Sequence, residues 1–234
     1  MFLIRTTISL CVAAVSLSAA AMAAPVERNS ERAPAELAWL PANGPSAPVA
    51  EMAMQAASCA TSAGDVARAS TLTIIDYSRP STEPRLWVLD LVRRRVLFTE
   101  LVAHGRGSGE LMATRFSNEE GSHASSLGLF VTGDPYQGAH GYSLRLRGLE
   151  PGVNDQAFDR AIVMHPAPYV DAAFAKGAGR LGLSWGCPAL RPGIATQVID
   201  TIKSGSLVFA YFPDQDWLAR SKYLGSCAAG SGTK

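Results

Sequence analysis

The sequence predicts a mainly β fold, a sandwich or barrel with a few peripheral helices. Three observations lead there. Segments rich in β-branched and aromatic residues recur between Leu72 and Phe212, with turn residues between them. Only two stretches place apolar residues at helical spacing. No repeat or heptad run breaks the pattern, and no segment after the N-terminus approaches the ~18 consecutive apolar residues of a membrane span.

The chain opens with Arg5, an apolar stretch from Ile8 to Ala20, and Ala21-Met22-Ala23, the layout of a secretory signal with an A-x-A cleavage site over residues 1–23. Residues 24–48 carry Pro25, Pro34, Pro41, Pro45 and Pro48 and read as an extended linker. A domain is expected over 49–224, and the small-residue stretch 225–234 as a flexible tail. Loss of residues 1–23 removes Arg5 and no acidic group, so the formal charge of +1 falls to zero. A neutral exported chain has no electrostatic footprint for nucleic acid.

Within the domain, Val49, Met52, Ala53, Ala56, Ala57 and Ala60 share one helical face, with Gly64 as a stop. Strands are expected at 72–77, 85–90, 96–103, 126–132, 142–147 and 161–164. The run Arg93-Arg94-Arg95 falls in a turn between two of them. Residues 105–126 form a long Gly- and Ser-rich connection, a common location for function. A second helix spans 191–204, with Pro192 near its start and Gly205 past its end, and a strand at 206–212 closes the domain.

Without Cys11 the exported chain keeps three cysteines, Cys59, Cys187 and Cys227. An odd count in an oxidising compartment leaves one thiol free. If Cys187 is that thiol, Cys59 and Cys227 form the disulfide candidate; two small buried thiols are the alternative.

Cys187 lies in the turn Ser184-Trp185-Gly186-Cys187-Pro188, and His165 ends the apolar run Ala161–Met164. A thiol becomes a strong nucleophile on losing its proton, and a nearby imidazole can take that proton. Gly186 permits close approach of a substrate, and the backbone N–H groups of Gly186 and Cys187 are candidate oxyanion donors. The competing reading is a small buried cysteine beside an edge histidine. The sequence has no C-x-x-C, H-x-x-x-H, H-E-x-x-H or G-x-S-x-G. His104, His123, His140 and His165 are scattered, and neither a metal nor a cofactor is expected.

Ser184-Trp-Gly-Cys-Pro-Ala189 with upstream His165 resembles the catalytic domain of the murein L,D-transpeptidase family, the YkuD-like enzymes. Further matching stretches are Ala103–Gly109, Phe116-Ser-Asn118, Ser125–Gly128, Gly148–Asp155 and Arg160–His165. The resemblance implies a β-sandwich or barrel-like fold, a location in the periplasm or cell envelope, and peptidoglycan stem peptides as partners. It implies that Cys187 forms a thioester, that His165 acts as general base and acid, and that Ser184 supports the turn. An L,D-carboxypeptidase or endopeptidase would use the same thioester, and a catalytically silent wall-binding module would keep only the fold. Trp185 stands where the family has histidine, and Pro188-Ala189 replace its usual Arg or Asn; 21 residues separate His165 from Cys187. His104, at the end of a predicted strand, and Trp185, beside the nucleophile, are candidates to line the substrate cleft.

Overall fold

A computed structural model describes residues 37–225. The expected signal (1–23), residues 24–36 of the expected linker, and Cys227 with the rest of the tail after Gly225 lie outside the described residues.

Among the described residues the architecture is mainly β, with eight strands in one sheet. In chain order the elements are α1 (Ala47–Ser62), β1 (Thr71–Asp76), β2 (Leu86–Asp90), β3 (Arg95–Glu100), β4 (Gly128–Gly138), β5 (Gly141–Gly148), β6 (Val163–Pro166), α2 (Ala172–Ala178), β7 (Ala189–Leu190), α3 (Pro192–Ile202), β8 (Leu207–Tyr211) and α4 (Gln215–Arg220). The strand order is β3-β2-β1-β8-β4-β5-β6-β7. β1 runs parallel to β8, and β6 parallel to β7; the other pairs are antiparallel. Just past β3, Ala103 bridges to Ala189 of β7, its N–H donating to the Ala189 carbonyl at 2.9 Å. The two ends of the strand order therefore meet, and the sheet curls into a nearly closed barrel.

Local chemistry explains each kind of element. β5 alternates, with Leu144 and Leu146 buried while Arg145 and Arg147 face solvent, the signature of a strand wetted on one side. β2 is buried at every position, which requires cover on both faces. α1 packs an alanine-rich face against β1 and β8, burying Ala50, Ala53, Ala56 and Ala60. α3 buries Ala195, Val198, Ile199 and Ile202 against the sheet. Among the described residues, no helix is long and apolar enough to cross a membrane.

Four differences from the sequence reading have physical causes. β4 continues to Gly138, past the expected end at Thr132, because a register shift between Thr132 and Pro135 absorbs the proline. α2 and α4 are too short to show a helical period; each is marked only by its N-cap, where Asp171 accepts from Phe174 N–H and Asp214 from Trp217 N–H. The two-residue β7 falls below any strand pattern. Residues 37–48 pack on the domain rather than run free: Leu37 is buried, and the Asn43 carbonyl accepts from the Trp87 indole.

Cys59 is disulfide-bonded. Its sulfur lies 4.0 Å from the Lys222 carbonyl, a few residues before Cys227.

Candidate active site

β6 and β7 bring the two chemistry-bearing side chains to one rim. Their parallel register pairs His165 with Ala189 and Pro166 with Leu190. Followed two residues back, it sets Val163 beside Cys187, and the Val163 N–H points at Cys187 Sγ, 3.4 Å away. Cys187 sits two residues before β7, outside the strand, and this contact sets its thiol beside the start of β6, the strand that carries His165. Among the described residues no hydrogen bond joins the two side chains; the thiol instead faces the Ala161 carbonyl at 3.6 Å.

His165 is buried, and its Nδ1 lies 2.9 Å from the Pro166 carbonyl. A carbonyl only accepts, so Nδ1 carries the proton and the neutral ring keeps its lone pair on Nε2. Ala139 and His140 form the tip between β4 and β5, and the exposed His140 ring stacks on His165 with centroids 4.5 Å apart. Burial holds the His165 pKa below the ordinary histidine value, and a charge on His140 would push it the same way; the Pro166 bond opposes both.

The Cys187 turn is tightly specified. Ser184 Oγ donates to the Cys187 carbonyl at 2.7 Å and accepts from Gly186 N–H at 3.2 Å. Of the two amides expected to serve as oxyanion donors, that of Gly186 is thus engaged inside the turn. The Cys187 N–H makes no hydrogen bond among the described residues. Gly186 has φ +117°, and a Cβ there would stand 2.8 Å from the Ala124 carbonyl oxygen, so no other residue fits without displacement.

The long connection 105–126 is not a free loop but a wall of this turn. Gly105 N–H donates to Ser125 Oγ at 3.0 Å, and Ser125 Oγ donates to the Gly186 carbonyl at 3.0 Å. Arg160 clamps the same wall, donating to the Ser117 carbonyl, Ser122 Oγ, Ser126 Oγ and the Ala124 carbonyl at 2.7–3.1 Å.

Burial pushes the half-buried Cys187 thiol above the ordinary thiol value, opposed in part by the Val163 N–H and by Arg160. Tyr169 is raised to about 12 by burial, with the Cys187 charge adding to it. Both shifts at the centre favour neutral partners, a thiol and an imidazole, rather than a resting ion pair.

The remaining sequence candidates separate. Trp185 is 68 % exposed beside the nucleophile, where it can meet a substrate. His104 does not line the cleft: it is fully buried, and its Nδ1 accepts from Arg85 at 2.7 Å. Burial, with the Arg85 charge, lowers its pKa to about 4. A strand end next to a Gly-rich loop looked open in sequence, but the loop folds back over it, and the Gly109 carbonyl meets Nε2 at 3.3 Å. Sequence reading did not single out His140, Arg160 or Tyr169. For Arg160 the available signal was its place in the motif Arg160–His165; for His140 it was the Gly-flanked tip of a hairpin.

Residues 42–211 match the family model described as the L,D-transpeptidase catalytic domain. Solved structures that share similarity include an L,D-transpeptidase from Mycobacterium smegmatis, 14% identical over 62% of this chain and 59% of that one, with a TM-score of 0.39. An L,D-transpeptidase from Stackebrandtia nassauensis is 14% identical over 69% and 65%, with a TM-score of 0.37. The helical cell shape determining protein Pgp2 from Campylobacter jejuni is 14% identical over 60% and 47%, with a TM-score of 0.40. The match to the M. smegmatis protein spans about three fifths of that protein's length. No curated protein matches.

Proposed function

Because the chain belongs to the L,D-transpeptidase catalytic domain family, we propose that it is a cysteine acyltransferase acting on peptidoglycan stem peptides, exported by way of residues 1–23 to the periplasm or cell envelope. The observation that supports this reading is the contact of Val163 N–H with Cys187 Sγ, which brings the thiol beside the strand of His165, whose Nδ1–H bond to the Pro166 carbonyl keeps the lone pair on Nε2.

In the resting site the thiol and imidazole are both neutral. Substrate entry turns Sγ away from the Ala161 carbonyl toward His165 Nε2. Sγ attacks the carbonyl carbon of an L-residue at an L–D peptide bond as its proton passes to Nε2. In this reading the Cys187 N–H donates to the developing oxyanion, and the Ser184 bonds to the Cys187 carbonyl and the Gly186 N–H support the turn that carries it. The Pro166 carbonyl steadies the imidazolium through Nδ1–H. Collapse of the tetrahedral adduct breaks the C–N bond, and Nε2–H protonates the departing amine of the D-residue. The thioester then passes to an incoming amine, which yields a cross-link and returns the proton through His165 to sulfur. Water in place of the amine gives a trimmed stem.

Incubation with purified disaccharide-tetrapeptides, with products identified by mass, tests this. Cross-linked dimers mark transfer, and tripeptides mark an L,D-carboxypeptidase using the same thioester. Cys187→Ala should abolish both. Product from that variant would defeat the nucleophile assignment, and none from the native chain would leave a silent wall-binding module.

A further inference from the structure

Trp185, His123 and Arg106 form a built surface on the rim that carries Cys187. Trp185 is 68 % exposed, which is costly for an indole with no other duty. It is nevertheless held in place. The His123 ring stacks on it with centroids 4.9 Å apart and planes 27° from parallel. The Arg106 guanidinium lies 5.3 Å from the indole centroid. Arg106 also donates through Nε and Nη2 to His123 Nδ1, at 3.1 and 2.8 Å. Because Arg106 and His123 are bonded to each other, both sit on one side of the indole, and with Trp185 68 % exposed much of the remaining ring surface is open to solvent.

Two further features mark a prepared site. His123 adopts φ +52°, a left-handed conformation that a non-glycine residue holds at some energetic cost. Arg106 is exposed, and among the described residues it makes no ion pair with any carboxylate. A flat apolar face edged by a cation without an acid matches a chain segment with an aliphatic body and a carboxylate end.

We propose that Arg106 and Trp185 form a carboxylate subsite of the substrate cleft: the guanidinium takes a free carboxylate of the stem peptide, and the exposed indole surface takes the aliphatic part that bears it. The proposal rests on the peptidoglycan reading above and names what that cleft selects. Trp185 and Cys187 are two residues apart, so their Cα atoms lie within about 7 Å. That proximity puts the subsite on the same cleft as the nucleophile, and the carboxylates nearest the scissile bond are its candidates. Two sources share that chemistry: the terminal carboxylate of the departing D-residue, and a side-chain carboxylate of the acyl-donating L-residue.

The test compares three synthetic stem tetrapeptides ending in D-alanine: one with both carboxylates free, one amidated at its C-terminus, and one amidated at the side chain of the L-residue. The full-length native enzyme should show a KM at least tenfold lower for the free acid than for one of the two amides, which identifies the source. In Arg106→Gln that ratio should fall to within twofold of one, and Arg106→Lys should retain part of it. Binding is read separately in Cys187→Ala as a change in tryptophan fluorescence with the free-acid peptide, a change that should vanish when Trp185→Phe is added. Equal KM values for all three peptides in the native enzyme would overturn the subsite, as would a preference that survives Arg106→Gln. Carboxylate-selective binding without any turnover would support the subsite while defeating the proposed reaction, so the two failures are distinct.

Discussion

His140 lies over His165 with ring centroids 4.5 Å apart and planes 27° from parallel. The first comes from the β4–β5 tip and the second from the end of β6, so the hairpin touches the proposed base directly. A positive charge on either ring disfavours one on the other.

His140→Gln should therefore raise the His165 pKa, both by removing that charge and by admitting water to a ring whose pKa burial now depresses. The base is active when neutral. The acidic limb of kcat/KM should accordingly move to higher pH, while Cys187 alkylation at a fixed alkaline pH stays close to native. An unmoved limb, or one displaced to lower pH, would show that the stack has no hold on the base.

Burial outweighs the Val163 N–H and Arg160 at Cys187, so the free enzyme should hold a neutral thiol at pH 7. Iodoacetamide labelling should keep accelerating through and beyond the ordinary thiol range, with no plateau on the acid side of neutrality. A plateau near pH 6 would instead reveal a preformed thiolate–imidazolium pair and rule out proton transfer during attack.

Arg160→Met removes a guanidinium that binds two carbonyls and two hydroxyls of residues 117–126. A loss of about 2–4 kcal/mol in denaturant unfolding is expected, given roughly 1 kcal/mol per net hydrogen bond and more where the donor is charged. The Cys187 thiol should also become harder to ionise, because Arg160 is one of the groups favouring its charged form. Native stability in the variant would mean that the wall does not depend on this clamp.

His104 should make the fold sensitive to acid. Its native pKa of about 4 lies below the ordinary 6.5, so between those values the unfolded chain binds a proton that the folded chain refuses. Stability should fall as pH drops through that window and level off below about 4. At ~1.4 kcal/mol per pKa unit, the ceiling for this residue is about 3 kcal/mol. His165, shifted the same way, adds to the trend. His104→Gln should flatten the slope between pH 6.5 and 4; an unchanged slope would assign the acid loss to other groups.

The strands were legible from β-branched and aromatic runs set between turn residues, with alternation visible in Leu144–Arg147, and the two longer helices from apolar residues at helical spacing, as in Val198–Ile202. Cys187 and His165 were legible because a Gly-Cys-Pro turn and a strand-ending histidine are local patterns. What escaped the sequence depends on contacts between distant segments. Nothing in the chain around Ala139-His140 says that the tip reaches His165, since that follows from β5 pairing with β6. His104 looked like a cleft residue until the buried Arg85, just before β2, claimed its lone pair. The Gly186 amide was counted as an oxyanion donor because no local pattern shows that Ser184 Oγ accepts from it.

The position of β8 bears on how the molecule assembles. It sits between β1 and β4 yet comes last among the strands, so β1–β3 on one side and β4–β7 on the other have no common neighbour in the sheet until residues 207–211 arrive. Non-local pairing of this kind slows folding, since a long loop must close before any contact rewards it. A ribosome-bound or truncated chain ending before Leu207 should then hold two half-sheets joined only through the Ala103–Ala189 side and open along the β1 and β4 edges, and closure of the sheet around the nucleophile's surroundings should await the final strand, although Cys187 itself was synthesised earlier.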